Sequence, residues 1–536
     1  MNKFAAMRFG QFCLGLITVA FFFQCASKAT PPGGPKDETP PAIVQEKSTT
    51  NEQTLFKERS FIVTLNEWVK LEDVQSQVLI SPPLERRPEI KIKGKSVVFK
   101  FHEDEVLKEG ATYTVNFGDA IQDITENNPL KNFSFVFSTG SVIDSLSING
   151  NVIDAYTAEP VEDATVMVYE SLEDSIPLQE KPLYATKSDE EGAFEIRNMK
   201  AGIFKIVAIT DDNLNYLLDG VERVAFLDTT FHLDTAGTAP INLRMSQPLE
   251  RLYPDRRDTS EWNKAVFTYN RYPYGLSIDY ADPDQTLFYD LLNNTLSVWY
   301  YDENRREWPL YFSTGEVLDT FVLNYNAPNQ KQTKPKELSR LKNSGFPSDP
   351  FYHCFDRPIL SFDTSFIQIL EGSTAKKAVN AEIFIIDSLP LCLQFAYQWQ
   401  PDSTYELILL PGSLTDLYDL TNDTISQRFP IGNVERFGSI IMKIEGLSND
   451  QSYLIQLGIK DKPEYIFSVD STTTFERTIT KLKPATYDLR IVEDRNRNGR
   501  WDPGDLLLNR QPEVTRKYEI EQLRANWDVD VNVKME

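Results

Sequence analysis

A run of acidic and amide residues near the end of the chain has a spacing that suits a metal ion. In "DRNRNGRWDPGD", oxygen-bearing side chains occupy positions 1, 3, 5, 9 and 12, and a glycine occupies position 6. Ca²⁺ takes about six to eight oxygen ligands, and side chains at alternate loop positions point inward as a chain curls around it. The spacing therefore predicts a structural Ca²⁺ site. Its predicted ligands are Asp494, Asn496, Asn498, Asp502 and Asp505.

The same spacing occurs once more, earlier in the chain. Counting from Asp211, oxygen-bearing residues return at the same positions, although Tyr216 replaces the glycine. An apolar run, "FKIVAI" or "YDLRIVE", leads into each segment and no helix signal flanks either. We therefore expect both loops to follow β-strands, unlike a helix–loop–helix calcium motif. The candidate ligands of this second loop are Asp211, Asn213, Asn215, Asp219 and Glu222.

The acidic and amide residues of these loops can also be explained without a metal ion. Asp and Asn side chains form consecutive Asx-turns, which order a loop through its own hydrogen bonds. Arg495, Arg497 and Arg500 also reduce the negative potential around the C-terminal loop. The sequence leaves both interpretations open.

Composition limits the class of protein that could carry these loops. The 536 residues suffice for about three to five domains. Hydrophobic residues make up 41% and aromatic residues 12%, and Tyr and Phe far outnumber Met, which favours sheets. The net charge of −24 argues against a nucleic-acid partner and against electrostatic adhesion to an anionic membrane.

The N-terminus has the features of an export signal. Lys3 and Arg8 precede the apolar run Phe12–Phe23, which is too short to span a membrane comfortably. Cys25 and a Pro/Gly-rich tether follow, and this arrangement resembles a bacterial lipoprotein signal, although Gln24 stands where a small residue is usual. The resemblance implies an acyl lipid on Cys25 and anchoring in the outer membrane. An ordinary secretory signal or an uncleaved anchor is the alternative, and the membrane face stays open.

Short alternating runs bounded by turn residues predict strands in the remainder of the chain. In the first of these regions, "FIVTLNEWV", "TYTVNFGDAIQDITENNPL" and "FSFVFSTG" resemble the bacterial Ig-like domains of Bacteroidota-type lipoproteins. The next region, with "SDEEGAF" and "GIFKIVAI", resembles transthyretin-like or carboxypeptidase-regulatory β-sandwiches. These resemblances imply non-catalytic spacer modules.

Both units recur, which predicts an all-β, elongated chain of tandem sandwiches. Pro358–Ile367 echoes "FIVTLNEWV", Ser403–Asp423 echoes "ATYTVNFGDAIQDITENN", and "TFERTITKLKPATYDLRIVE" echoes "AFEIRNMKAGIFKIVAI". The predicted organisation is a signal peptide at 1–24, an anchor and tether at 25–41, an Ig-like domain at 42–140, a transthyretin-like domain at 146–245, a third β-domain at 250–350, a degenerate Ig-like domain at 355–432 and a second transthyretin-like domain at 436–536.

The remaining cysteines and the histidines bear on chemistry. With Cys13 removed in the signal peptide and Cys25 acylated, Cys354 and Cys392 remain in an oxidising compartment that permits a disulfide, and two separate buried thiols are the alternative. The chain has only three histidines, in distant segments, and no nucleophile-elbow, zinc-protease or phosphate-loop motif. We therefore expect that the protein is not an enzyme.

Together these observations predict a lipid-anchored binding or scaffold protein of the outer membrane. The expected partners are outer-membrane lipid, through the acylated Cys25, and an outer-membrane or envelope protein of which the chain is an accessory subunit. The alternative is a carbohydrate-binding or adhesive surface lipoprotein. In that case the aromatic residues of Trp299–Phe312 would stack on sugars, although buried core strands would explain them equally well.

Overall fold

Short β-strands form nearly all of the regular structure. The computed structural model describes residues 37–131, 133–220, 222–280, 287–300, 307–314, 318–324, 333–338 and 343–535. Within these ranges a single four-residue α-helix, α1 (Val74–Gln77), accompanies four 3₁₀ turns and the strands. The predicted all-β fold class is confirmed. The predicted signal peptide and Cys25 lie outside the described residues.

The first module is a β-sandwich built from strands in which alternate residues face inward. Phe61 and Val63 are buried while their neighbours are not, and the Phe61 ring stacks on Phe135 with centroids 3.9 Å apart. Its sheets have the orders β1-β5-β4, β3-β6-β8 and β2-β7. The strands are β1 (Ser60–Thr64), β2 (Val69–Leu71), β3 (Leu79–Ser81), β4 (Glu89–Lys93), β5 (Ser96–Lys100), β6 (Thr112–Asn116), β7 (Ile121–Asp123) and β8 (Ser134–Ser138).

The second module packs one sheet with a parallel strand pair against an antiparallel sheet. The first sheet has the order β12-β9-β16, with β16 parallel to β9, and the second has the order β11-β10-β13-β14, with β15 on β13. The core between them includes Val152, Phe194 and Phe204. The strands are β9 (Leu146–Asp154), β10 (Thr165–Tyr169), β11 (Tyr184–Lys187), β12 (Ala193–Met199), β13 (Gly202–Ile209), β14 (Val224–Phe226), β15 (Phe231–Leu233) and β16 (Ile241–Met245).

The third module contains the aromatic segment Trp299–Phe312. Among its described side chains, Trp299, Tyr300 and Phe312 are buried, while Tyr311 is exposed. Three of these four aromatic residues therefore belong to a core, which favours the core explanation over sugar stacking for them. The sheets are β17-β18-β21-β20 and β19-β22-β23. The strands are β17 (Pro254–Asp258), β18 (Lys264–Tyr269), β19 (Ser277–Tyr280), β20 (Leu287–Leu292), β21 (Thr295–Tyr300), β22 (Glu307–Ser313) and β23 (Leu318–Asn324).

The fourth module repeats the sheet orders of the first, with one strand added at the edge of one sheet. Its sheets are β24-β29-β28, β27-β26-β30-β32 and β25-β31, so that β24 and β29 take the places of β1 and β5. Ser403–Asp423 coincides with β30 and β31, the counterparts of β6 and β7, as its echo predicts. The strands are β24 (Phe351–Cys354), β25 (Ile359–Phe362), β26 (Ile367–Glu371), β27 (Lys377–Val379), β28 (Glu382–Ile386), β29 (Leu389–Ala396), β30 (Thr404–Leu409), β31 (Leu414–Asp416) and β32 (Ile425–Pro430).

The start of this module differs from the sequence prediction. β24 pairs with β29 and so belongs to the fourth module, ahead of the predicted boundary at residue 355. The segment Pro358–Ile367 therefore follows the true counterpart of β1, and its alignment with "FIVTLNEWV" is wrong. Both β24 and β25 are short runs with apolar residues, so pattern alone does not fix which strand is first.

The fifth module repeats the second, except that no described strand corresponds to β15. Its sheets are β36-β33-β39, with β39 parallel to β33, and β35-β34-β37-β38. β36 and β37 correspond to β12 and β13, which agrees with the sequence echo. The strands are β33 (Gly438–Glu445), β34 (Ser452–Ile459), β35 (Lys462–Asp470), β36 (Thr474–Leu482), β37 (Asp488–Glu493), β38 (Thr515–Glu519) and β39 (Asp528–Lys534).

Candidate functional site at two acidic loops

The loop after β13 is organised by two buried carboxylates. Asp211 is 2% exposed and accepts hydrogen bonds from the backbone N–H groups of Asn215, at 2.9 Å, and Tyr216, at 3.3 Å. Glu222, 4% exposed, accepts from the N–H of Asp212 through Oε1, at 3.1 Å, and from that of Asp219 through Oε2, at 2.9 Å. The two carboxylates thus hold both ends of the loop.

Side-chain amides face a third carboxylate in this loop. Asn213 and Asn215 both donate through Nδ2 to Asp219 Oδ2, at 2.6 Å and 3.1 Å. All five predicted residues therefore lie in one hydrogen-bonded cluster.

The loop after β37 has the same internal arrangement. Asp494 accepts from the N–H groups of Asn498, at 3.0 Å, and Gly499, at 2.9 Å. Asn496 and Asn498 donate to Asp502 Oδ2, the latter at 2.6 Å. Asp494, Asn496, Asn498 and Asp502 thus stand where Asp211, Asn213, Asn215 and Asp219 stand in the second module.

The carboxylate that closes this loop was missed by sequence reasoning. Glu513 accepts from the N–H of Arg495 through Oε1, at 2.8 Å, and from that of Asp502 through Oε2, at 3.0 Å. These are the bonds that Glu222 makes in the second module. Each glutamate lies two residues before its next strand, β14 or β38, and that spacing was the available sequence signal.

Asp505, the predicted ligand at position 12, lies outside this arrangement. Its side chain accepts from the N–H of Leu508 at 3.1 Å, and its backbone pairs with Arg510 in a hairpin. Residues 503–512 form this hairpin, which is inserted between Asp502 and Glu513 and has no counterpart in the second module. We call it the clasp.

The clasp fastens the fifth module to the second. Leu506 is 4% exposed, whereas the neighbouring Leu507 and Leu508 are 60% and 69% exposed. Leu506 joins an apolar cluster that otherwise belongs entirely to the second module. That cluster consists of Met167, Tyr169, Ile176, Val207, Ile209, Val224 and Phe226.

Hydrogen bonds surround this apolar contact. The N–H of Gly504 donates to Ser246 Oγ at 3.0 Å, and Gln511 Nε2 donates to the carbonyl of Phe226 at 2.8 Å. Asn509 Nδ2 donates to the carbonyl oxygen of Asp228 at 3.0 Å. Such contacts fix the register of the clasp, while the buried leucine supplies most of its apolar stabilisation.

Tyr156 makes a further contact between the same modules. Its ring lies 5.1 Å from that of Trp501, its hydroxyl donates to Gln456 Oε1 at 2.8 Å, and the Arg490 guanidinium lies 4.1 Å from its centroid. Burial raises the pKa of Tyr156, and the charge of Arg490 acts in the opposite direction. The acidic loop and its clasp are therefore embedded in an intramolecular interface.

Each loop concentrates negative charge in a partly dehydrated place. Burial raises the pKa of Asp211, Glu222 and Glu513, and for Glu513 the nearby carboxylates of Asp502 and Asp494 act in the same direction. A cation or a proton would relieve this repulsion. Rotating each Asn amide by half a turn would present its carbonyl oxygen in place of its NH₂ group, which is the oxygen chemistry that Ca²⁺ requires.

The side chains of the two acidic loops are not arranged as a ready metal-binding site. Within the described ranges, no three His, Cys, Asp or Glu side chains are grouped closely enough to hold a metal ion. The hydrogen bonds within each loop are those of the metal-free interpretation. Calcium binding at either loop stays a prediction.

Cys354 and Cys392 lie opposite each other on β24 and β29 and form a disulfide. Both are buried, in a cluster with Trp299 of the third module and Leu417 and Tyr418 of the fourth. At the matching position of the first module, Thr64 faces Ser96 and their hydroxyl oxygens lie 2.9 Å apart. The matching strand positions thus carry a covalent link in one copy and a hydrogen bond in the other.

The three histidines lie in three different modules. His102 and His232 are exposed beside Asp104 and Asp234, while His353 is buried with its Nδ1 2.5 Å from Gln427 Oε1. Burial lowers the pKa of His353. This arrangement brings no two histidines together.

Comparison with known proteins identifies one part of the chain. Residues 37–139 match the family model described as a bacterial Ig-like domain. The first module is a bacterial Ig-like domain. No curated protein sequence matches the chain.

Solved structures give matches of low similarity. The Bacillus anthracis TIE protein is 10% identical with a TM-score of 0.15, over 94% of this chain and 76% of that one. Domains 1-6 of the surface layer protein SbsC are 10% identical, with a TM-score of 0.13, over 88% and 66%. BcpA, the major pilin subunit of Bacillus cereus, is 8% identical, with a TM-score of 0.12, over 73% and 99%. These TM-scores are too low to relate this chain to any of the three in architecture or function.

Proposed function

We propose that this chain is a lipid-anchored, non-catalytic scaffold of the outer membrane and an accessory subunit of an outer-membrane protein complex. The observation that carries this proposal is the fastening of the fifth module onto the second through the clasp. A chain of flexibly linked stalk modules has no need of such a contact, whereas a scaffold needs its modules held in a fixed arrangement to present one surface to a partner.

The N-terminal sequence supports the location. The apolar run Phe12–Phe23, Cys25 and the Pro/Gly-rich tether suit acylation, and the tether separates the first module from the membrane. None of the described helices is long and apolar enough to cross a membrane. The net charge of −24 disfavours direct adhesion to anionic lipid, so the lipid on Cys25 is the expected attachment.

Fractionation and co-purification test this proposal. Cys25→Ala should move the protein from the membrane to the soluble fraction. Crosslinked wild-type protein should co-purify with a defined outer-membrane protein, and Cys25→Ala should lose that partner. Unchanged membrane association of Cys25→Ala contradicts the anchor, and capture of no envelope protein by the wild type contradicts the scaffold.

Carbohydrate binding is the second candidate, and the third module gives it some support. Tyr272, Tyr274, Tyr289 and Tyr311 are each at least 40% exposed, and the rings of Tyr272 and Tyr274 lie 4.6 Å apart. Exposed tyrosine rings are suitable platforms for sugars. Binding on a glycan array that Tyr272→Ala with Tyr274→Ala abolishes would favour this function over the scaffold.

We also propose that Ca²⁺ binds the acidic loop after β37 as a structural ion. The carboxylates of Asp494, Asp502 and Glu513 and the amides of Asn496 and Asn498 would supply its oxygen ligands. The ion would order the base of the clasp and so stabilise the scaffold.

A further inference from the structure

A groove of about 350 Å³ lies between the first and second modules. One wall contains residues near β3 and β4 of the Ig-like domain, and the other contains the acidic loop after β13. Its lining is largely apolar and includes Val78, Ile80 and Ile90 from the first module and Leu214 and Leu217 from the second. A volume in this range suits a bound side-chain cluster or small ligand.

The rim of the groove is positively charged in an acidic protein. Arg86 and Arg87 line it, and neither has an ion-pair partner among the described residues. Lys181 and Lys187 also line it, but Lys181 is held by Glu85, at 3.6 Å, and by the carbonyl of Leu84, at 2.9 Å, and Lys187 is paired with Asp163, at 3.4 Å. Among the described residues of the groove, the two arginines are therefore the cations without an ion-pair partner.

Their surroundings reinforce this local charge. The segment Arg86–Lys95 contains five basic residues and one acidic residue, whereas the whole chain carries −24. The Arg87 guanidinium also acts on Tyr216 across the groove, because it opposes the burial that raises the pKa of Tyr216 to about 12. A guanidinium forms two parallel hydrogen bonds to a carboxylate, so the rim complements an acidic partner.

The wall formed by β4 offers main-chain hydrogen bonds as well. β4 pairs with β5 along one edge, and its other edge pairs with no described strand. Ile90 lines the groove, while Lys91 and Lys93 are exposed. An extended peptide can pair with a free strand edge and place alternate side chains in adjoining pockets. A lipid lacks the main-chain groups that would satisfy this edge.

We propose that this groove binds an extended segment of a partner protein in which acidic residues alternate with apolar ones. The apolar side chains enter the groove between the modules, and the carboxylates meet Arg86 and Arg87. This inference rests on the proposed scaffold function and names the chemistry of its partner.

Fluorescence anisotropy on the full chain tests the groove, with a labelled peptide of alternating Leu and Glu as the probe. The peptide should bind saturably, and the matching Leu–Lys peptide should not. Arg86→Glu with Arg87→Glu should weaken binding about tenfold or more. Ser76→Trp should weaken it to a similar extent, because Ser76 lines the groove and a tryptophan there fills it without changing the charge.

Lys47→Glu with Lys57→Glu is the matched control, since both lysines are exposed on the first module and line no part of the groove. This control should bind like the wild type, and all variants should melt like the wild type. An equal loss of peptide binding in this lysine control would show that binding reflects general charge attraction, and it would contradict the groove proposal. Loss in the arginine variant without loss in Ser76→Trp would do the same.

Two other outcomes replace the proposal with another explanation. Absence of peptide binding, together with wild-type binding to anionic phospholipid vesicles that the arginine variant loses, would assign the rim to lipid. Absence of both, with aggregation of the arginine variant, would mean that the charges only protect the strand edge. If the arginine variant still co-purifies with the wild-type envelope partner, the scaffold stands and the groove proposal fails.

Discussion

The loop after β13 closes directly from Asp219 to Glu222, whereas the loop after β37 inserts the clasp before Glu513 closes it. Both loops present two backbone N–H groups to the closing glutamate, at 2.8 to 3.1 Å, and both glutamates are buried. A buried carboxylate needs such donors and the N–H groups need an acceptor, so the same closing contact is kept in both copies. The segment before it is free to vary because longer surface loops cost little in closure entropy.

This freedom gives the two loops different roles. Without an insertion, the first loop leaves Leu214, Tyr216 and Leu217 exposed to the groove beside the Ig-like domain. With the insertion, the second loop reaches the second module and buries Leu506 there. One repeated unit thus provides both a candidate partner site and an internal fastening.

The largest expected effect comes from removing the apolar contact of the clasp. Leu506→Asp would bury an unpaired carboxylate among Met167, Val207 and Phe226, which costs on the order of 3–5 kcal/mol. We expect the clasp to detach, with faster hydrogen exchange and proteolysis across 503–512. The control is Leu507→Asp, because Leu507 is adjacent but 60% exposed. If residues 503–512 were equally protected from hydrogen exchange and proteolysis in Leu506→Asp and Leu507→Asp, Leu506 would not be the residue that holds the modules together.

The disulfide extends the comparison to the Ig-like repeat. Replacing Cys354 and Cys392 by serine should lower the free energy of unfolding of the fourth module by about 2–4 kcal/mol, because the bridge constrains the unfolded chain. Thr64→Ala, at the matching position of the first module, should cost only about 1 kcal/mol. Denaturant unfolding measures both. Labelling of two free thiols in the unfolded, non-reduced protein would contradict the bridge.

The alternating strands made most of this fold predictable. The echoes Ser403–Asp423 and "TFERTITKLKPATYDLRIVE" fall on the matching strands of the two repeats, because side chains that alternate between core and solvent leave a period of two in the sequence. The start of the fourth module was misplaced because β24 and β25 are both short runs with apolar residues, and neither alternates clearly enough to mark the first strand. The sequence pattern identifies where strands occur more securely than it identifies which strand of one repeat corresponds to which strand of the other.

The candidate site was predictable only in part. Spacing identified all five clustered residues of the first loop and four of those in the second, but counting to position 12 in the second loop selected Asp505, since an insertion shifts the closing residue without altering the earlier positions. The clasp itself was invisible because Leu506, Leu507 and Leu508 are identical in type, and only the position of another module decides which one is buried. Contacts between modules leave no periodicity in a sequence.

Glu513→Ala should separate the two candidates for the closing residue. It leaves the N–H groups of Arg495 and Asp502 without acceptors, at a cost of about 1–3 kcal/mol. Asp505→Ala removes a single bond in a partly exposed hairpin and should cost less than about 1 kcal/mol. Thermal unfolding of the full chain compares them, and an equal or larger loss in Asp505→Ala would contradict the assignment of Glu513.

The cost of Glu513→Ala should also depend on pH. Burial raises the pKa of Glu513 in the folded protein, so folding favours its protonated form. The resulting stabilisation is complete below the unfolded pKa of about 4.3 and is lost as pH rises through the folded pKa. The difference between wild type and variant should therefore be greatest at low pH. A difference that grows as pH rises would mean that the charged carboxylate is the favoured form.

A small effect is also expected from Ca²⁺, and it distinguishes the two loops from each other. A ligand that binds only the native state stabilises it by mass action, by about 1.4 kcal/mol at ten times its Kd. Sites of this kind in extracellular modules have Kd values of about 10⁻⁴ to 10⁻³ M, so millimolar Ca²⁺ should raise the Tm of the full chain while Mg²⁺ should do so less. Asp494→Ala should remove most of the rise in Tm, and Asp211→Ala should remove less of it. Both loops turn at position 6 with a positive φ, which Gly499 adopts without strain in the loop after β37, whereas Tyr216 must adopt a φ of 61° in the loop after β13. Identical melting in Ca²⁺ and in chelator would mean that Asx-turns alone hold both loops.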